Sequence, residues 1–280
     1  MKQFIKAVLP KPILQTALDW SARIGLAFVP LQKCVNGNLR VIDPTGLKAI
    51  FASREIEETW QRDHEAIKSV FGDGDKFGGV NPGDRRAIHT LVQALKPDKV
   101  LEVGTHIGAS TLYFALALKA NGNAGKVTTV DILDVNDPVS GPWKQIGSRM
   151  APRDFANQLD CLRQIEFIAE KALDYMRRTE KSFDFIFLDG DHSSQAVYQE
   201  ISAALSLLRP GGVILLHDYY PDNKAIFPDD NIIVGPFHAL RRIMRECDQI
   251  RVFPLGRLPW ATKQGSNNTS LALLTRATAP

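Results

Sequence analysis

The chain reads as an α/β protein: a doubly wound, mostly parallel sheet of seven strands, helices on both faces, and an N-terminal helical extension. Two observations carry that reading. From about residue 80, short runs that are apolar throughout alternate with amphipathic helical stretches. A strand with no polar face must be covered on both sides, as parallel strands in α/β sheets are. Two of these runs, Phe183–Leu188 and Val213–Leu216, stop abruptly at acid and histidine side chains, in Asp189-Gly-Asp-His192 and His217-Asp218-Tyr-Tyr220. A single helix separates them, so their ends should emerge side by side on the sheet edge where open α/β sheets bind ligands.

The elements follow in order. Glu55–Phe71 has a helical apolar face through Ile56, Trp60, Ile67 and Phe71. Asp84–Leu95 is a second helix, with Ile88, Leu91, Val92 and Leu95 on one face and Lys96-Pro97 as its stop. Strands are predicted at Lys99–Val103, Val127–Val130, Ile165–Ile168, Phe183–Leu188 and Val213–Leu216, with Arg251–Leu255 and Ser270–Thr275 as a closing hairpin-like pair. Helices are predicted at Ser110–Ala120, Ser148–Cys161, Lys171–Arg178, Ser193–Leu208 and Phe237–Arg245. In Ser193–Leu208, Val197, Ile201, Ala204, Leu205 and Leu208 form a buried stripe. The irregular segments Leu133–Gly147 and Tyr219–Gly235 are loops at the site edge. The expected division is an extension over 1–75 and a main domain over 76–280.

Composition excludes several classes. A net charge of +3 with no run of five or more Lys/Arg gives no footprint for nucleic acid. Three cysteines (Cys34, Cys161, Cys247), widely spaced and without a CxxC pair, support neither a disulfide framework nor a zinc knuckle, and a cytoplasmic setting follows. No apolar stretch approaches the roughly 18 residues of a membrane span, so stable membrane insertion is not expected. Residues 1–30 are expected to form a helix packed on their own domain or on a partner, which makes a homodimer through residues 1–75 an expectation; contact with a membrane surface is the other account.

The segment Val100-Leu-Glu102-Val-Gly104-Thr105-His-Ile-Gly108-Ala-Ser110 is a strand entering a glycine turn and then a helix. Gly104 permits the tight turn and Gly108 a close approach of ligand to the helix start. His106 stands where a dinucleotide fold needs its second glycine, and Glu102 would repel a diphosphate; an acid there suits a cationic ligand. Asp131, ending the second strand, is placed to accept both hydroxyls of a ribose. With Leu208-Arg-Pro-Gly-Gly212 before the fifth strand, this pattern resembles the class I S-adenosylmethionine-dependent methyltransferases, whose fold is Rossmann-like. The resemblance covers about residues 78–218 and implies that Glu102, Gly104, Thr105, Gly108 and Ser110 surround the methionine part of the cofactor. It further implies Asp131 at the ribose, with Glu170, Lys171 and Asp189 completing the cofactor site.

The strand ends Asp189–His192 and His217–Asp218 are similar to a branch that includes catechol O-methyltransferase-like enzymes and antibiotic sugar O-methyltransferases. That similarity implies a divalent ion, magnesium or manganese, on Asp189, His217 and Asp218, with His192 as general base. His217 departs from the acid-rich pattern. An imidazole there leaves three options: a softer ion, weakly held magnesium, or a second base with no metal. Asp191 is expected to support the ligands from behind or to face solvent, and Trp143, Tyr219, Tyr220, Phe227 and Trp260 are candidates to line the acceptor pocket. The implied activity is O-methylation of a small-molecule hydroxyl (sugar, polyketide-like or phenolic). A nucleic-acid methyltransferase and a non-methylating cofactor-binding or hydroxylase relative are the alternatives.

Overall fold

Seven strands in the order β3-β2-β1-β4-β5-β7-β6 set the frame of the molecule, which was obtained as a computed structural model describing residues 10–32, 38–72, 79–122 and 124–276. Helices α1 (Lys11–Ala27), α2 (Pro44–Phe51), α3 (Arg54–Phe71) and α4 (Pro82–Leu95) come first. There follow β1 (Lys99–Val103), α5 (Ala109–Ala120), β2 (Lys126–Asp131), α6 (Pro142–Gln145), α7 (Pro152–Gln158) and β3 (Ile165–Ala169). The chain continues through α8 (Ala172–Arg178), β4 (Phe183–Leu188), α9 (Ser194–Leu207), β5 (Leu208–Leu216), α10 (Gly235–Glu246), β6 (Ile250–Pro254) and β7 (Ala272–Arg276). Strands β1 to β5 pair in parallel; β7 runs antiparallel between β5 and β6. The expected architecture is the one observed.

The apolar runs behave as two-faced strands. In β4, Phe185 and Phe187 pack with Phe114, Leu112 and Leu91 on one side, while Ile186 and Leu188 pack with Val197, Ile201 and Leu240 on the other. Side chains alternate across a strand, so a single run of six residues feeds both cores. Each fully buried Phe, Leu or Ile contributes about 1.5–3 kcal/mol, and all four of these β4 side chains are buried. Helix starts are fixed locally: the Asn81 side chain caps α4 through the Asp84 N–H, and Ser193 caps α9 through the Ala196 N–H.

The described part of the N-terminal region packs onto this sheet. Leu39 bridges Gly212 in parallel, the Ile42 N–H donates to Thr275 Oγ1 (2.9 Å), and Trp60, Ile67 and Phe71 of α3 enter the core beside α4 and α5. Two elements differ from expectation. The helix predicted over Ser148–Cys161 is only Pro152–Gln158, because Pro152 sets its first turn and Asp160, at φ 50°, turns the chain left-handed. Strand β5 begins at Leu208 instead of Val213, through a register irregularity opposite Phe183–Phe185 that accommodates Arg209-Pro-Gly-Gly. Cys161 is a buried free thiol, and Cys34 lies outside the described residues. No helix among the described residues is long and apolar enough to cross a membrane.

Candidate active site

Strands β1, β2, β4 and β5 end at one cavity of about 910 Å³. Gly104, Asp131, Lys171, Asp189, His192, His217 and Asp218 line it, as do Tyr220 and Phe227 of the following loop. Glu102, Thr105, Gly108, Ser110 and Glu170 do not.

Glu102 lies beneath the glycine turn, fully buried. It accepts hydrogen bonds from Ser110 Oγ (2.5 Å), Thr111 Oγ1 (2.5 Å) and Thr129 Oγ1 (2.7 Å). Burial pushes its carboxyl up to about 7, against the lowering effect of the three hydroxyls. It therefore ties the start of α5 to β2 and shapes the turn from below. Thr105 bonds Thr129 through their hydroxyls (2.6 Å). Gly104 has φ 95°, and a Cβ there would press into the carbonyl oxygen of Asp189, so the β1 and β4 ends touch backbone to backbone. Above them, Asp131 Oδ2 accepts the His106 N–H (2.8 Å) and Oδ1 accepts the Leu133 N–H (3.0 Å). These bonds hold the carboxylate toward the cavity with lone pairs to spare. Glu170 instead pairs with Arg178 (2.5 Å).

At the β4 and β5 ends, His217 sits in a nest of carboxylates. Its Nδ1 lies 2.8 Å from Asp189 Oδ1 and 3.5 Å from Asp218 Oδ1, and its Nε2 lies 3.2 Å from Asp84 Oδ2. Burial alone would lower the imidazole's pKa. The charges of Asp189 and Asp218 and the hydrogen bonds to Asp189 and Asp84 outweigh it and hold the ring's pKa well above its ordinary value. Asp84 is fully buried and also accepts from Asn81 Nδ2 (2.6 Å) and Thr269 Oγ1 (2.5 Å). Nothing in the sequence near Asn81-Pro-Gly-Asp84 distinguishes it from an ordinary helix start; only tertiary folding brings it under His217.

His192 faces Asp218 from the other side, Nε2 to Oδ2 at 3.6 Å. Among the described residues, Asp189, His192 and Asp218 offer ligand atoms all within 4.8 Å of one another, a set suited to one metal ion. His217 stands outside that set, with both ring nitrogens against carboxylates. Asp218, at φ 56°, is held left-handed by the Tyr219 N–H bond to Ser270 (2.9 Å). Of the aromatic candidates, Tyr220 and Phe227 reach the cavity, whereas Trp143 packs in the core and Trp260 stacks under Arg86 (4.0 Å). Beyond Asp84, sequence reasoning also missed Glu200, a buried cavity-lining acid on α9, and the Lys263–Asp229 pair (3.0 Å) near Phe227.

Residues 101–219 match the family model described as a methyltransferase domain. This segment is similar to methyltransferase domains. A Dictyostelium discoideum relative named "Probable caffeoyl-CoA O-methyltransferase 3" is 29% identical over 169 residues, 56% of this chain and 60% of that protein. The chain thus spans less than two thirds of the length of the curated relatives it matches. Solved methyltransferases share the fold. The O-methyltransferase of Bacillus cereus, in complex with SAH, aligns with TM-score 0.51 at 22% identity, covering 81% of this chain and 91% of that one. TomG of Streptomyces achromogenes, an O-methyltransferase of tomaymycin synthesis in complex with SAM, aligns with TM-score 0.53 at 17% identity over 76% and 90% of the two chains. The Gly104 turn, Asp131 and both acid-histidine ends fall within the matched segment.

Proposed function

We propose that the protein is an S-adenosylmethionine-dependent O-methyltransferase acting on a hydroxyl of a small molecule, with a divalent ion assisting. The observation that carries this reading is that the Gly104 turn, Asp131, and the group Asp189, His192 and Asp218 open into one cavity of about 910 Å³. That is room for a nucleoside-sized ligand and a small acceptor together. When bound, S-adenosylmethionine supplies a methyl group activated by its sulfonium charge. The backbone at Gly104–His106 would border the sulfonium end of that ligand, and Asp131 would take its ribose hydroxyls. Lys171 and the turn after β3 border the adenine.

The donor set fits a divalent ion through Asp189, Asp218 and His192. When bound, the ion supplies charge that lowers the acceptor hydroxyl's pKa. Two carboxylates with an imidazole favour manganese or another transition ion over magnesium. His217, hydrogen-bonded to Asp189 and 3.5 Å from Asp218, then holds these carboxylates in place from behind. The 3.6 Å approach of His192 to Asp218 supports a second reading without the ion, in which His192 takes the hydroxyl proton and Asp218 steadies the imidazolium. One lone pair cannot do both. Turnover that survives complete chelation selects the base; turnover restored only by an added metal selects the ligand.

Tyr220, Phe227 and Ile233 on the acceptor side suit a ring-bearing substrate. The names of the relatives, caffeoyl-CoA O-methyltransferases, support a phenolic hydroxyl over a sugar or polyketide-like one, and the free thiol of Cys161 accords with a cytoplasmic setting. Calorimetric titration with S-adenosylhomocysteine is the direct test. Binding that weakens in Asp131→Ala supports the assignment, and no binding to the wild-type chain overturns it.

A further inference from the structure

Helix α1 carries two faces of opposite character. The inner face packs on α9 and α10: Ser194 Oγ donates to the Ala22 carbonyl (2.6 Å), Arg242 donates to the Leu26 carbonyl (2.6 Å), and Asp19 receives His238 and Asn223. The outer face is apolar. Ile13, Trp20, Ile24 and Phe28 recur at helical spacing with Ala17 between them, and Leu31 extends the line. They are 55%, 58%, 54%, 82% and 72% exposed for Ile13, Trp20, Ile24, Phe28 and Leu31. The stripe is about 25 Å long, at about 1.5 Å per residue.

Its charge surroundings are one-sided. Along one flank, Arg23 of α1 meets Arg241, Arg242 and Arg245 of α10 in a common groove. The acids there are taken up locally: Asp19 by Arg23 and His238, Glu246 by Arg242 and Tyr198. Arg241 and Arg245 are exposed, and the first 18 residues of the sequence hold Lys2, Lys6 and Lys11 but no acid. An apolar stripe with a cationic border is complementary to a lipid surface that is apolar beneath an anionic layer. A second copy of the chain would present the same cationic border and so repel it.

We propose that the outer face of α1, with the arginines of α10, docks on an anionic membrane surface, Trp20, Ile24 and Phe28 entering the headgroup layer. This docking is peripheral and independent of the methyl-transfer reading.

The test is co-sedimentation of the full chain with vesicles of phosphatidylcholine alone and of phosphatidylcholine mixed with phosphatidylglycerol, at low and high salt, beside sedimentation velocity without lipid. We expect at least tenfold stronger partition to the anionic vesicles, weakening with salt, each arginine being worth about fivefold. Arg241→Glu with Arg245→Glu should remove most of that preference. Ile24→Asp with Phe28→Asp should abolish binding without lowering the melting temperature, since these side chains are exposed. Equal partition to both vesicle types, or binding unchanged in both double variants, overturns the proposal. So does a stable dimer in the lipid-free run that Ile24→Asp with Phe28→Asp converts to monomer, for then a second copy covers the stripe.

Discussion

Glu102→Gln isolates the electrostatic cost of the glycine turn. In the folded chain the Glu102 carboxyl is fully buried and raised from 4.5 to about 7. Its folded pKa lies above the unfolded one, so between these values the folded state holds the extra proton, and stability falls as pH rises. The loss begins near 4.5, is complete above about 7, and amounts to about 3 kcal/mol at 1.36 kcal/mol per unit. Glutamine cannot ionise; its Oε1 can accept from Thr111 and Thr129 while its Nε2 donates to Ser110 Oγ. Wild type and variant should therefore melt alike near pH 5. At pH 8 the variant should melt about 6 °C higher, at about 2 °C per kcal/mol for a chain of this size. Calorimetric melts at steps between those values, on the unliganded protein, read this directly. A difference that is constant across the range refutes the reasoning, because the linkage would then lie elsewhere.

Further outcomes are expected. Glu200, buried and pushed up to about 8 by burial and by Asp191, has the same sign, so Glu200→Gln should flatten the fall in stability up to that higher pH, as read by the same melts. Asp131→Ala removes the two acceptor oxygens proposed for the ribose and should weaken S-adenosylhomocysteine binding roughly tenfold to a hundredfold, for about 1.5–3 kcal/mol, in calorimetric titration. His217→Asn leaves Asp84 buried beside a neutral group and should cost about 3–5 kcal/mol in denaturant unfolding. Because His217 is raised in the folded state, its stabilisation is present at and below neutral pH and fades as pH climbs through the raised value. The gap between wild type and His217→Asn should therefore narrow in alkaline buffer. Gly104→Ala should abolish cofactor binding, since its Cβ would displace the Asp189 carbonyl.

The legible parts of this protein were those written in local pattern. β4 and β5 announced themselves because both faces of each are buried, and their polar ends followed at once. The positions of the Gly104 turn and Asp131 were readable because each falls where an apolar strand run ends. Two things were not local. Asp84 lies 133 residues from His217, and its helix-start setting hides its contact with the imidazole. The direction of the His217 ring is likewise set by three carboxylates from separate elements, so sequence could offer ligand and base but not the buried cation that geometry favours. Leu208–Gly212 was missed as strand because proline and glycine ordinarily end one; there the pairing to Phe183 and to residues 39–40 compensates.

The contact between Gly104 and the Asp189 carbonyl works as a ruler. It is backbone against backbone, so no rotamer stands between the segment assigned to the donor and the segment assigned to the acceptor's activation. Their separation is set by close packing of the two backbones and by the Asp189 N–H bond to the Val103 carbonyl (3.0 Å). The loop Tyr219–Val234, which borders the acceptor side, is attached downstream of that contact. Descendants of this chain can therefore rewrite the loop for new acceptors without recalibrating the reaction distance, and a designer seeking a new specificity should cut there and leave the ruler whole.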